Sequence, residues 1–320
     1  MLPAPPYLAD FLNYMETVKG KSTNTVKEYF YDLRTFLRFV KSTKLLQLKS
    51  VDEELIIEDI PIEQLREVTL SDLYAFMSWL SHEKNNSPTA RARKVASIRS
   101  FFKYLTDKVS LMDYNPALEL ESPKLRKKLP KYLNIDESSK LLNSINGDFA
   151  ERDFAIIILF LNCGLRLSEL VGININRIRN DTLTVLGKGD KERTIYLNTS
   201  CIEAIKNYLL VRAVDGVKDK QALFLSNRKT RISHQMVQFI VKKYITAAGL
   251  DPARYSTHKL RHTAATLMYK HGNVDIRSLQ EILGHESIST TEIYTHVDSA
   301  QLKKAVSRNP LANFKKDAKI

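Results

Sequence analysis

The chain has 320 residues, 43% hydrophobic and 27% charged, a mix that excludes a mostly disordered polymer and sets an expectation of two domains or one large one. Its longest apolar run, Phe154–Leu161, falls far short of the roughly eighteen residues a membrane span needs. The 49 Lys and Arg outnumber the 36 Asp and Glu unevenly: residues 1–122 hold 16 basic and 17 acidic side chains, residues 123–320 hold 33 and 19, which points to a polyanion partner, nucleic acid before membrane.

The opening Met1-Leu2-Pro3-Ala4-Pro5-Pro6 has neither the basic nor the apolar region of a secretory signal. Helical patterning follows. Leu8, Phe11, Leu12 and Met15 fall on one face. Thr25 with Glu28 fits a capping box, ahead of Tyr29, Leu33, Phe36, Leu37 and Val40 at helical spacing. The acidic stretch 44–68, with Asp52, Glu53, Glu54, Glu58, Asp59, Glu63 and Glu67, is expected to face away from a polyanion. Leu73, Phe76, Met77 and Leu80 form a third stripe. Ser87-Pro88 opens a fourth helix with Val95, Ile98, Phe102 and Leu105 on one side. Its other side carries Arg93, Ser97, Arg99, Ser100 and Lys103, either a face for backbone phosphates or an ordinary solvated one.

Pro116, Pro123 and Pro130 then mark a linker around the basic run Lys124–Lys128. Beyond it the helices are interrupted once. Thr182–Leu186 and Arg193–Leu197 read as a hairpin around the turn Gly187-Lys188-Gly189-Asp190-Lys191-Glu192. Two later helices are expected, one from about His258 to Tyr269 with Gly272 as its stop, one from Asp275 to Leu283 ended by Gly284. The two cysteines, Cys163 and Cys201, suit a reducing cytoplasm and neither a disulfide framework nor a four-cysteine zinc site.

Three places suggest chemistry. His258 and Arg261 share a helix face in a first turn whose N–H groups and dipole favour an anion; the same dipole keeps the imidazole neutral. Arg166, among Leu165, Leu167 and Leu170, is expected to be partly buried and held by Glu169, as a phosphate ligand or as half of a structural pair. The loop Arg228-Lys229-Thr230-Arg231 offers backbone contacts to DNA or is simply solvated. His285 and Tyr294 lie in Leu283–His296, where nothing local singles out the tyrosine.

Taken in order, Gly164–Leu170, Gly187–Arg193, His258–Thr266 and Leu283–His296 resemble the tyrosine recombinases, the site-specific recombinase and integrase family, and among them the Xer type. The resemblance covers the whole chain. It implies a mainly α, two-domain fold: an N-terminal helical core-binding (SAM-like) domain over 1–115, a linker over 116–130, and a mainly α catalytic domain with a small hairpin over 131–320. It implies Tyr294 as nucleophile, Arg166 and Arg261 as clamps on the scissile phosphate, and His285 as a further donor to it. His258 would assist proton removal, Lys188 would protonate the leaving 5′-oxygen, and Glu169 would support the arginine. No metal or cofactor is expected. Expected partners are duplex DNA with inverted half-sites, a homo-tetramer or a hetero-tetramer with a paralogous recombinase, and a septal DNA translocase. Chromosome or plasmid dimer resolution is the expected role. A phage- or transposon-type integrase is the alternative, ahead of a type IB topoisomerase or a non-catalytic DNA-binding relative. The short apolar stripe Leu302, Ala305 and Val306 would dock on a neighbouring protomer or on the chain's own core.

Overall fold

The computed structural model describes residues 3–125, 131–187, 192–272, 274–284 and 290–291. The chain divides into two compact units, Met1–Lys127 and Lys128–Ile320.

The first unit is helical: α1 Pro6–Thr17, α2 Thr23–Val40, a π-helical turn Lys41–Leu45, α3 Ile62–Arg66, α4 Leu70–His82 and α5 Pro88–Asp107. The α2 cap differs from the expected Thr25–Glu28 box. Ser22, in extended backbone, is the N-cap and accepts from the Thr25 N–H at 3.4 Å, while Glu28 pairs with Arg93 of α5 instead. The helix starts one turn earlier, so Ser22 caps its free N–H groups and Thr25 lies in the first turn. Interlocked rings fill the core. Phe36 meets Phe76 at 5.3 Å and Phe102 at 5.9 Å, edge to face, and Phe11 meets Phe101 at 5.3 Å. The acidic stretch is not a detached loop. Its Ile57, Ile60, Leu65 and Val68 are buried, and Lys41 holds Asp59 at 2.6 Å. Ala117 and Leu120 also join this core, so the first unit extends past residue 115.

The second unit comprises α6 Ile135–Asn143, α7 Ala150–Cys163, α8 Leu167–Val171, a 3-10 turn Ile175–Arg177, β1 Ile178–Arg179, β2 Thr182–Leu186, β3 Glu192–Tyr196, α9 Thr199–Val211, α10 His234–Ala247, α11 Thr257–His271 and α12 Ile276–Leu283. Every side chain from Ala155 to Leu161 is buried, so this stretch of α7 is apolar all round, and the helix forms the centre against which α9 and α11 pack. The strands form one antiparallel sheet in the order β1-β2-β3, with Leu183 opposite Ile195 and Val185 opposite Arg193. β3 begins one residue earlier than the sequence pattern suggests, because Glu192 still pairs with Leu186. Among the described residues no helix is long and apolar enough to cross a membrane.

Candidate active site

The site grows from the end of α7. Gly164 closes that helix in left-handed backbone (φ 58°), and a Cβ there would lie 2.8 Å from Leu283 Cδ2. The chain can therefore turn sharply and set Arg166 at the N-cap of α8. The Arg166 N–H donates to Glu169 Oε2 at 2.7 Å, its Nη1 donates to Glu169 Oε1 at 2.8 Å, and its Nη2 donates to the Gly284 carbonyl at 2.6 Å. One third of the Arg166 side chain stays exposed while that of Glu169 is fully covered.

Arg261 reaches the same point from α11. Its side chain is 5% exposed; Nη1 donates to the Gly164 carbonyl at 2.5 Å and lies 3.8 Å from Glu169 Oε2, and Nη2 donates to the Leu283 carbonyl at 2.6 Å. A third guanidinium is present. Arg193 of β3 donates from Nε to Glu169 Oε1 at 3.1 Å and from Nη2 to Oε2 at 2.8 Å, and Nη1 donates to the Ile282 carbonyl. Burial by itself would push the Glu169 carboxyl up. The hydrogen bond and charge of Arg193, the Arg166 N–H and the Arg166 charge outweigh it and hold the group below the usual carboxylate range.

The other pole of the cluster is the end of α12. Asp275 caps its start, accepting from the Arg277 and Ser278 N–H groups at 2.8 and 3.0 Å. At its end the carbonyls of Ile282, Leu283 and Gly284 each accept from a different arginine. These are the carbonyls a helix leaves unpaired, at its negative end, so cations belong there.

His258 stands in the first turn of α11, one turn before Arg261. Its Nε2 lies 3.0 Å from His262 Nε2, with ring centroids 4.5 Å apart. One nitrogen must donate and the other accept, so the pair does not carry a proton on both facing nitrogens. Partial removal from water, then the charges of Lys259 and Arg261, hold the His258 pKa below its ordinary value. These effects act in the same direction as the helix dipole expected from sequence.

The structure therefore brings Arg166, Glu169 and Arg261 together. Lys188, His285 and Tyr294 lie outside the described residues. Arg193, to which the sequence reading gave no role, is the addition. Its signal is visible in the alternation of Arg193, Ile195 and Leu197, which puts an arginine on the inward face of a strand. Among the described residues no group of three or more His, Cys, Asp or Glu could hold a metal ion.

The expected DNA contacts fare differently. Ser97 is not part of an exposed basic face: it is buried and donates to Asp32 at 2.9 Å, beside Lys94 at 2.8 Å. Arg93 is paired with Glu28 and with Asp32, and Arg99 donates to the Leu120 carbonyl. Lys103 is exposed and shares a basic groove with Lys19, Lys21 and Lys108. In the second unit Arg231 is an internal brace. It pairs with Asp219 at 2.9 Å and donates to the Val171 and Ile173 carbonyls at 3.0 and 3.2 Å and to Asn174 Oδ1 at 2.6 Å. Lys229 donates to the Asp215 carbonyl at 2.8 Å, and Arg228 is exposed.

Residues 131–301 match the phage integrase family, and residues 7–110 match its N-terminal SAM-like domain. The chain belongs to the phage integrase family, as a tyrosine recombinase that breaks and rejoins DNA. Its relatives are of the Xer kind. It is 57% identical to tyrosine recombinase XerC of Caldanaerobacter subterraneus subsp. tengcongensis, over 96% of this chain and 88% of that one. It is 36% identical to XerC of Thermodesulfovibrio yellowstonii, over 92% and 93%. Among solved structures, XerH recombinase bound to palindromic difH substrate in a post-cleavage complex shares the fold with a TM-score of 0.69 at 24% identity, covering 96% of this chain and 97% of that one.

Proposed function

We propose that the cluster around Glu169 is the phosphate site of a reaction in which Tyr294 attacks the scissile phosphorus, leaving a 3′-phosphotyrosyl link and a free 5′-hydroxyl. Arg166 and Arg261 clamp the non-bridging oxygens, with His285 as a further donor. His258 accepts the phenolic proton, and Lys188 protonates the leaving 5′-oxygen. The observation that carries this reading is the meeting of Arg166 and Arg261, from different helices, at one buried carboxylate, with His258 a turn away. A phenol of pKa about 10 is only about 0.1% ionised at neutral pH, so a nearby neutral base is required. Charge that builds on the phosphate oxygens meets guanidinium groups already held in place, so little reorganisation is needed. The covalent link keeps the energy of the broken phosphodiester, so rejoining needs no ATP.

The substrate in this reading is duplex DNA with inverted half-sites, one per protomer, cut by a homo-tetramer or by a hetero-tetramer with a paralogue. Lys103 with its basic groove, and Arg228, contact backbone phosphates. The names of the relatives, tyrosine recombinases XerC and XerD, favour an Xer-type recombinase over a mobile-element integrase; the role in this reading is dimer resolution in the cytoplasm, under control of a septal DNA translocase. A nicked suicide substrate carrying the site recovered by selection tests the chemistry. The wild-type chain should form a covalent adduct, in EDTA as well as without it, and Tyr294→Phe should bind the site and form none. Adduct formed by the Phe variant would remove Tyr294 as the nucleophile.

A further inference from the structure

We propose that Arg193 is a positioning residue for strand cleavage: it fixes the orientation of the Glu169 carboxylate and ties that carboxylate to the end of α12, and so aims Arg166 and Arg261 at the phosphate. The proposal rests on the reading of that site given above.

Geometry separates the three arginines. Arg193 addresses both Glu169 oxygens with one guanidinium fork, at 3.1 and 2.8 Å. Arg166 uses a single side-chain nitrogen and its backbone N–H, and Arg261 stands off at 3.8 Å. Arg166 thus also reaches both oxygens, but through two groups joined by a flexible side chain, whereas Arg193 spans them with one rigid planar fork and so sets the carboxylate plane. Exposure agrees with this division. The Arg193 side chain is 13% exposed against 33% for Arg166, so Arg166 offers more of itself to a ligand; Arg261, 5% exposed, is set apart from Arg193 by its stand-off from Glu169 rather than by burial.

Arg193 also reaches across to α12. Its Nη1 donates to the Ile282 carbonyl, and its stem passes over Gly284 so closely that a Cβ there would lie 2.8 Å from Arg193 Cδ and 3.1 Å from Nε. Gly284 (φ 61°) ends α12 and supplies the carbonyl bound by Arg166. Arg193 therefore contacts the same two supports, Glu169 and the α12 terminus, that hold Arg166. Three guanidinium groups against one carboxylate leave an excess of positive charge that the helix-end carbonyls only partly offset, an arrangement suited to a phosphodiester. A lysine at 193 keeps the charge and loses the fork, so it cannot orient the carboxylate.

The test compares Arg193→Lys and Arg193→Ala with wild type and Arg166→Ala in the full-length chain. The single-turnover cleavage rate constant is measured at saturating protein, together with affinity for the uncut site. Misplacing a reacting group by about 1 Å costs about 10²-fold. Both Arg193 variants should cleave about 10–100-fold more slowly with affinity within threefold of wild type, and lysine should not rescue. A neutral methylphosphonate at the scissile position needs less from the arginines. The gap between wild type and Arg193→Lys should therefore narrow on that substrate, whereas damage to overall folding would lower both substrates alike. Gly284→Ala displaces the Arg193 stem without removing its charge and should slow cleavage in the same way if Arg193→Ala fails to fold. An Arg193→Lys rate within threefold of wild type on the phosphodiester overturns the proposal, and so does an equal loss on both substrates. If Arg166→Ala itself cleaves normally, the phosphate-site reading has failed instead.

Discussion

Removing the charge at Glu169 is the most informative single perturbation of this fold. The side chain is fully covered and accepts four hydrogen bonds, two from Arg166 and two from Arg193, with Arg261 at 3.8 Å. Glutamine keeps the volume but offers one acceptor oxygen and turns an NH₂ towards guanidinium donors. Breaking a buried ion pair by removing one partner costs about 3–5 kcal/mol, because the remaining charge is left uncompensated. With a urea slope of about 1–3 kcal/mol per M, Glu169→Gln should lower the unfolding midpoint of the second unit by more than about 1 M. The chain's single tryptophan, Trp79, lies in the first unit, so its fluorescence serves as an internal control while far-UV circular dichroism follows both units. The Glu169 pKa is lowered on folding, so its stabilisation is present above the unfolded value of about 4.3 and is lost as pH falls through the folded value. The gap between wild type and Glu169→Gln should therefore hold from pH 7 down to about 4.3 and shrink only below. A loss under about 1 kcal/mol, or a gap that closes between pH 7 and 5, would refute the idea that this carboxylate anchors the cluster.

Three other outcomes are expected. Asp32→Ala strands Lys94 in the first unit's interior and should cost about 3–5 kcal/mol, read as an earlier Trp79 fluorescence transition; an unchanged transition counts against the buried network. If His258 accepts the phenolic proton as proposed, cleavage needs it neutral; its pKa is lowered, so the acid limb of the single-turnover pH profile should lie below about 6.5 and disappear in His258→Ala; a limb above that value contradicts the assignment. DNA affinity should fall with salt at a slope of about −0.9 per neutralised phosphate, and Arg231→Ala should leave that slope unchanged while costing about 1.5–3 kcal/mol of stability. A slope shallower by about one in that variant would return Arg231 to the DNA surface.

Much of this protein is written locally. Helix faces of period 3.6, the Ser87-Pro88 start, the Gly272 and Gly284 stops and the β2–β3 alternation each depend on neighbours a few residues apart, and they appear within a residue or two of where the spacing puts them. The α2 cap departs from the sequence pattern because Ser22, one turn ahead of Thr25, caps a longer helix and leaves Thr25 inside its first turn. Charge was the least legible property. Arg93, Ser97 and Arg231 look like a nucleic-acid surface in one dimension, yet Glu28, Asp32 and Asp219, distant in sequence or across a loop, claim them in three. The same holds at the site. The order of motifs announced Arg166, Glu169 and Arg261, but only packing could bring Arg193 from a strand and three carbonyls from the end of α12 to the same carboxylate. Periodicity is a property of adjacent residues and survives in the linear chain, whereas the pairing of a buried charge is a property of the space around it and exists only once the core has closed.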